Sequence, residues 1–267
     1  MASPQPYPFP SPIKALTFDV FGTTVNRLNP VVAALTTLAA TKLATSPPST
    51  THRQLATLTP ADWTLFAQQW HAAYGAFTRA FVRGTTPWRD VGTHFHDSLL
   101  VLLDQWRLGG VYTAAETEAL GKVWHALTPW PDSAPGLARL KRAGLVTSTL
   151  SNGNRALLED LDGFGGLGFQ RLIGAEDFKA YKPAPEVYLG ACKALGCEPG
   201  EVAMVAAHLE DLAAARALGL RTVYVERPGE EAWGVEEERY RLAREWVDLW
   251  VAEGEGGFDE VATRLGA

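Results

Sequence analysis

Cysteine is scarce, long apolar runs are missing, and no stretch is dominated by positive charge. Each absence removes a class of protein. Cys192 and Cys197 are the two cysteines in 267 residues, five apart in one helix-like segment. They read as small core residues in a reducing compartment, not as a disulfide framework. No apolar run reaches the roughly 18 residues of a bilayer-spanning helix, so a membrane association is not expected. Lys and Arg number 24 against 30 Asp and Glu, a formal charge of −6. With no basic run, nucleic acid is not an expected partner. Met1 to Pro12 lacks the apolar centre of a secretion signal, and the expected location is the cytoplasm. No internal repeat is found.

What is present suits a soluble globular chain, with 46% apolar and 20% charged residues. Its length fits one large α/β domain or a core carrying a smaller insert. Proline at 4, 6, 8, 10 and 12 predicts an extended lead-in. Ile13 to Phe18 reads as a buried parallel strand. The next hundred residues change character. Pro30 to Ala44 has helical spacing. Thr59 is placed to cap a helix that opens with Pro60 and carries Trp63, Phe66, Trp70, Tyr74 and Phe77. That stripe reads mostly as packing core, with one or two members lining a pocket. Val91 to Leu108 and Ala114 to Leu127 supply two more helices.

From Pro131 onward strands and helices alternate. Helices are predicted at Ser133–Ala143, Arg155–Leu161, Pro185–Leu195 and Leu209–Leu218. Strands are predicted at Leu145–Leu150, Arg171–Gly174, Val202–Ala206 and Arg221–Val225, with a further one within Trp246–Val251. The acidic stretch Glu230 to Glu238 reads as a solvated loop or helix. This period implies right-handed βαβ units and a parallel sheet. The expected fold is α/β: a Rossmann-like parallel core from residues 1–26 and 128–267, with a helical cap, 27–127, inserted after the first strand.

Four polar signals follow strand-like runs. They are Asp19-Val20-Phe21-Gly22-Thr23, Ser151-Asn152-Gly153-Asn154, Lys182-Pro183-Ala184-Pro185-Glu186-Val187-Tyr188 and His208-Leu209-Glu210-Asp211. In an open parallel sheet the strand C-termini converge on one crevice, where ligands bind. A carboxylate, a hydroxyl, a lysine and a second carboxylate are therefore expected to meet. That set suits a hydrolase working through a covalent aspartyl intermediate. Asp211 is also placed to cap a helix from Leu212. His94 and His96, two apart, do not share a helix face, so no metal site is expected there.

The ordered motifs resemble the haloacid dehalogenase superfamily, and most of all its 2-haloacid dehalogenases, whose helical cap follows the first motif. The resemblance implies Asp19 as the nucleophile that displaces halide from a small 2-haloacid, forming an ester that water hydrolyses to a 2-hydroxyacid. It implies Lys182 as the cation keeping Asp19 ionised, and Asp211 as the group that orients or deprotonates the water. Thr23 and Ser151 would fix nucleophile and substrate, Asn152 would bind halide or carboxylate, and Tyr188 would lend a supporting phenol. Phe21 stands where those dehalogenases have tyrosine, and His208 where some members have asparagine; both are assigned to substrate binding.

The phosphatase branch of the superfamily carries a second Asp two residues after the nucleophile, here Phe21, and an acidic magnesium ligand at what would be Ala206. Neither acid is present, so no metal and no cofactor is expected. The dehalogenases present a cap arginine in a Trp-Arg context. The match here is Trp70-His71, leaving His71, or Arg79 or Arg83 further along, to meet the substrate anion. Partly charged imidazole lacks a guanidinium fork. Open alternatives are a hydrolase or biosynthetic enzyme acting on another small electrophile, a phosphatase, or a non-catalytic binding module. A homodimer through cap aromatics is a further open expectation.

Overall fold

A computed structural model of the chain describes residues 9–45 and 49–267. Most of the proline-rich lead-in thus lies outside the described residues. Two compact units emerge: Met1–Asn26 with Pro129–Ala267, and Arg27–Thr128.

The second unit is helical. It comprises α1 (Asn29–Thr45), α2 (Thr50–Ala56), α3 (Pro60–Ala80), α4 (Val91–Gln105) and α5 (Ala114–Gly121), then a 3₁₀ turn over Lys122–His125. The start of α3 is set locally. Asp62 Oδ2 accepts from the Thr59 N–H at 2.8 Å, Thr59 Oγ1 accepts from the Asp62 N–H at 3.3 Å, and Pro60 fills the first turn. Further along α3, Trp63, Phe66 and Trp70 are buried. The Trp70 indole donates to the Phe95 carbonyl on α4 at 2.9 Å. Trp124 stacks on Phe95 at 4.1 Å between centroids and meets Trp70 edge-on at 5.3 Å. These rings bury large apolar area while the Trp70 N–H keeps a partner. The short α2 was not expected from the sequence; Ser49 caps it by accepting from the His52 N–H.

The first unit is the parallel α/β sheet. Its strands are β1 (Ala15–Phe18), β2 (Val146–Thr149), β3 (Val202–Ala206), β4 (Arg221–Val225) and β5 (Leu249–Val251). They lie in the order β2-β1-β3-β4-β5, parallel throughout. Every residue of β1 and β3 is buried, which is why both read as unbroken short runs and not as alternating ones. Helices α6 (Ser133–Arg142), α7 (Arg155–Gly165), α8 (Pro185–Leu195), α9 (Leu209–Ala217), α10 (Glu238–Trp246) and α11 (Phe258–Arg264) complete the unit.

Two predicted strands shrink. Arg171–Gly174 makes only isolated pairings, Ser148 with Arg171 and Ser151 with Gly174. The last strand is confined to Leu249–Val251, because residues 238–246 coil into α10. The site is positioned by topology. From β1 the chain goes to β2 on one side and later to β3 on the other, so the crevice opens at the C-terminal ends of β1 and β3.

Candidate active site

Asp19 leaves β1 at that switch point. Its N–H donates to the Val205 carbonyl at 2.9 Å, carrying the ladder one residue past the strand. The following loop closes on itself, with the Thr24 and Val25 N–H groups donating to Val20 O and the Gly22 N–H to Val25 O. Gly22 has φ +85°, and a Cβ there would lie 2.2 Å from Glu230 Oε2. Glycine is therefore required twice over, for the left-handed backbone and for room beside a carboxylate. Thr23 Oγ1 accepts from the Ala207 N–H at 2.9 Å and donates to Asp19 Oδ2 at 2.7 Å.

Lys182 reaches two carboxylates. Its ammonium donates to Asp19 Oδ1 at 2.8 Å and to Asp211 Oδ2 at 2.5 Å, and all three side chains are only 9% exposed. Asn152 Oδ1 holds this lysine in place by accepting from its backbone N–H at 2.7 Å. From α8, the Tyr188 hydroxyl donates to Asp211 Oδ1 at 2.6 Å. His208 Nδ1 lies 3.2 Å from Asp19 Oδ2, and its Nε2 lies 3.5 Å from Glu230 Oε2.

These contacts separate the two aspartates chemically. Burial pushes Asp19 upward, but Lys182 and His208 outweigh it and hold the carboxyl well below the usual carboxylate range. Asp211 moves the other way. Burial and the charge of Asp19 raise it, against the pull of Lys182 and Tyr188. Burial would deprotonate Lys182, yet the two carboxylates keep it firmly charged. For His208 burial likewise opposes the cation, and Asp19 and Glu230 overcome it, pushing the ring up to about 9. One carboxylate is thus committed to ionisation while its neighbour holds protons more readily. Such a pair can supply one group that attacks and another that takes up a proton.

Residues 13–219 match the model of the haloacid dehalogenase-like hydrolases. The chain belongs to that family. Among curated relatives, (S)-2-haloacid dehalogenase 1 of Pseudomonas sp. (strain CBS-3) is 38% identical over 106 residues, 39% of this chain and 47% of the relative. The (S)-2-haloacid dehalogenase 4A of Burkholderia cepacia is 36% identical over 114 residues, 42% of this chain and 49% of the relative. The chain thus spans about half the length of the curated relatives it matches. A solved structure, that of a defluorinating L-2-haloacid dehalogenase, covers 96% of both chains with a TM-score of 0.79 and 31% identity.

Within the first unit of this family member, the predicted Asp19, Thr23, Lys182, Asp211, Tyr188 and His208 form one bonded cluster, with Asn152 behind the lysine. Phe21 is buried. Ser151 lies two residues past β2, where its Oγ accepts from the Gly153 N–H at 3.1 Å and shapes the turn. The expected capping role of Asp211 is corrected. Helix α9 begins at Leu209 with His208 in the cap position, so Asp211 sits in the first turn and turns to Lys182 and Tyr188. His71 lies in the other unit, where the Arg27 guanidinium contacts its Nδ1. Arg79 and Arg83 are exposed.

The acidic stretch from Glu230, expected to be solvated, is corrected at its start. Glu230 is 7% exposed and Glu231 Oε2 accepts from the Leu209 N–H at 2.7 Å. Just before them, Arg227 donates through Nε to the Thr23 carbonyl at 3.0 Å and binds both oxygens of Asp132 at 2.7 Å. The available signal was position: this run follows β4 directly, at another strand C-terminus. The donor set does not fit a divalent cation. Phe21 and Ala206 occupy the two positions where the phosphatase pattern has acids, and the Lys182 ammonium already bridges the two aspartates.

Proposed function

We propose that this protein is a hydrolytic dehalogenase converting a small 2-haloacid to a 2-hydroxyacid through an ester on Asp19. The observation that carries the reading is the Lys182 bridge between a depressed Asp19 and a raised Asp211. An ionised carboxylate attacks carbon at Cα and expels halide. Water then attacks Cγ of the ester while Asp211 accepts its proton. Lys182 offsets negative charge throughout, and Tyr188 steadies Asp211. Thr23 and His208 fix the Asp19 side chain; Ser151 and Asn152 shape the anion side of the pocket, with Phe21 as its apolar wall. The substrate carboxylate falls to His71 with the Arg27 guanidinium against it. The dehalogenase names of the relatives support the same substrate class.

A single turnover of excess protein with 2-chloropropionate in heavy-oxygen water tests the route. Heavy oxygen is expected in the Asp19 carboxyl, and Asp19→Asn is expected to release no halide. Label in the product alone, with none in the protein, sinks the ester route. A second reading, hydrolysis of another small electrophile, is favoured by His71 at the position of the expected arginine. No halide release from any of a panel of 2-haloacids would select it.

A further inference from the structure

The two oxygens of Asp19 are not equivalent. Among the described residues, Oδ1 meets Lys182 Nζ alone, whereas Oδ2 has Thr23 Oγ1 at 2.7 Å and His208 Nδ1 at 3.2 Å. A carboxylate oxygen offers about two lone-pair directions. Oδ2 is therefore filled by two donors, and Oδ1 keeps one pair for attack. Behind His208 stands Glu230, buried at 7% exposure, with Oε2 at 3.5 Å from Nε2 and the glycine at position 22 making its room.

We propose that Glu230 is a positioning residue that holds His208 as the second donor on Asp19 Oδ2, leaving Oδ1 to attack and making Oδ2 the oxyanion seat of ester hydrolysis. This rests on the aspartyl-ester reading above. In the first step an Oδ1 pair forms the bond to Cα and the carbon–halogen pair leaves as halide. In the second, water oxygen bonds to Cγ, one water proton passes to Asp211, and the carbonyl pair moves onto Oδ2. Collapse breaks Cγ–Oδ1, the departing alkoxide takes the proton back from Asp211, and the remaining acid proton goes to solvent. Charge develops on the oxygen that Thr23 and the imidazolium already hold, which is where fixed donors accelerate acyl transfer most.

The groups facing His208 are Asp19 from the end of β1 and Glu230 from the loop after β4. Lys182 stands on the far oxygen of Asp19, Glu231 on the Leu209 N–H, exposed Glu210 follows in α9, and Arg227 is engaged by Asp132. Below about 9 the charged ring donates from both nitrogens; above it the charge is lost and a single N–H is left to serve Asp19 or Glu230. Removing the Glu230 charge makes the ring lose its proton at lower pH.

Glu230→Gln tests this in two ways. Nitrogen-15 NMR of the substrate-free protein is expected to show the His208 ring titrating at lower pH in the variant. Quenched turnovers of 2-chloropropionate, read by intact-protein mass, should show hydrolysis slowed about tenfold near pH 9, with the ester accumulating. His208→Asn, which has no ring to titrate, is expected to lose the alkaline limb of ester hydrolysis altogether. An unchanged ring titration in Glu230→Gln, or an alkaline limb that persists in His208→Asn, overturns this proposal while an ester in the wild type leaves the dehalogenase reading intact. A wild type that releases halide but never carries the ester mass overturns both.

Discussion

The α/β unit and the helical unit bury different things. The first buries charge: Asp19, Lys182, Asp211, Arg227 and Glu230 are each held by a partner of opposite charge or a hydrogen-bond donor. The second buries rings, with Trp70, Phe95 and Trp124 in mutual contact, and its notable cation, Arg27, rests against an imidazole. Buried charges bind each other through a few short contacts, so each is indispensable to its neighbours. Aromatic packing spreads over many weak contacts and tolerates exchange. Mutations should therefore act abruptly in one unit and gradually in the other.

Lys182→Met is the strongest way to expose that difference. Its loss leaves Asp19 and Asp211 as two buried carboxylates without their shared cation. Breaking such a pair typically costs about 3–5 kcal/mol, and a lost charge-stabilising donor slows turnover by about 10²–10³-fold. The pH dependence has a definite sign. Burial already raises Asp211 from the ordinary aspartate value, and without Lys182 it holds its proton more tightly. A group that binds protons better when folded stabilises the fold as pH falls. Urea unfolding at pH 5 and pH 8 should show a smaller deficit at pH 5. An equal deficit at both would mean that the lysine packs and does not pair.

The same contrast explains what could be read from the sequence. Asp19 and Asp211 were legible because strand ends and the first turns after them are fixed by backbone topology, whereas Lys182 and Tyr188 were legible through the Lys-Pro-x-Pro motif and the resemblance it carries. A polar residue at a strand end can point to few places. Arg27 was not legible, since it meets His71 across 44 residues through helix packing that no local spacing encodes. Glu230 was missed for another reason: an acidic run reads as solvated, and that pattern outweighed the signal of its place just after β4, from which its first member turns inward beside Gly22. The core strands were read well from their apolar runs. Arg171–Gly174 was over-read because two isolated bridges leave the same short pattern as a strand.

The helical unit supplies a smaller test. With a guanidinium already against His71, His71→Arg alone is expected to bring no gain, because a second guanidinium would repel the first. Arg27→Met should raise KM for 2-chloropropionate about tenfold with kcat little changed, the loss of one charge-assisted hydrogen bond. In that background His71→Arg should recover most of the loss. The three variants and the wild type form a double-mutant cycle, in which coupled residues depart from additivity. Steady-state halide release measures it. An unchanged KM in Arg27→Met would remove Arg27 from substrate binding.

The smallest expected effect is none. Treatment with EDTA should leave halide release unchanged, and added magnesium should not create phosphatase activity. A divalent cation between Asp19 and Asp211 would have to displace the Lys182 ammonium, which lies 2.8 and 2.5 Å from their oxygens. Magnesium also demands near-octahedral oxygen ligands, and Phe21 and Ala206 offer no side-chain oxygen at the positions where the phosphatase pattern has acids. Phosphoryl transfer depends on such an ion to offset charge on the phosphoryl oxygens, whereas displacement at a carbon bearing halogen develops charge that departs with the halide. The buried cation between Asp19 and Asp211 is thus the lysine itself. Halide release that falls with EDTA and returns with magnesium would show that Lys182 yields its place to a metal, and the contrast between the two units would have to be redrawn around that ion.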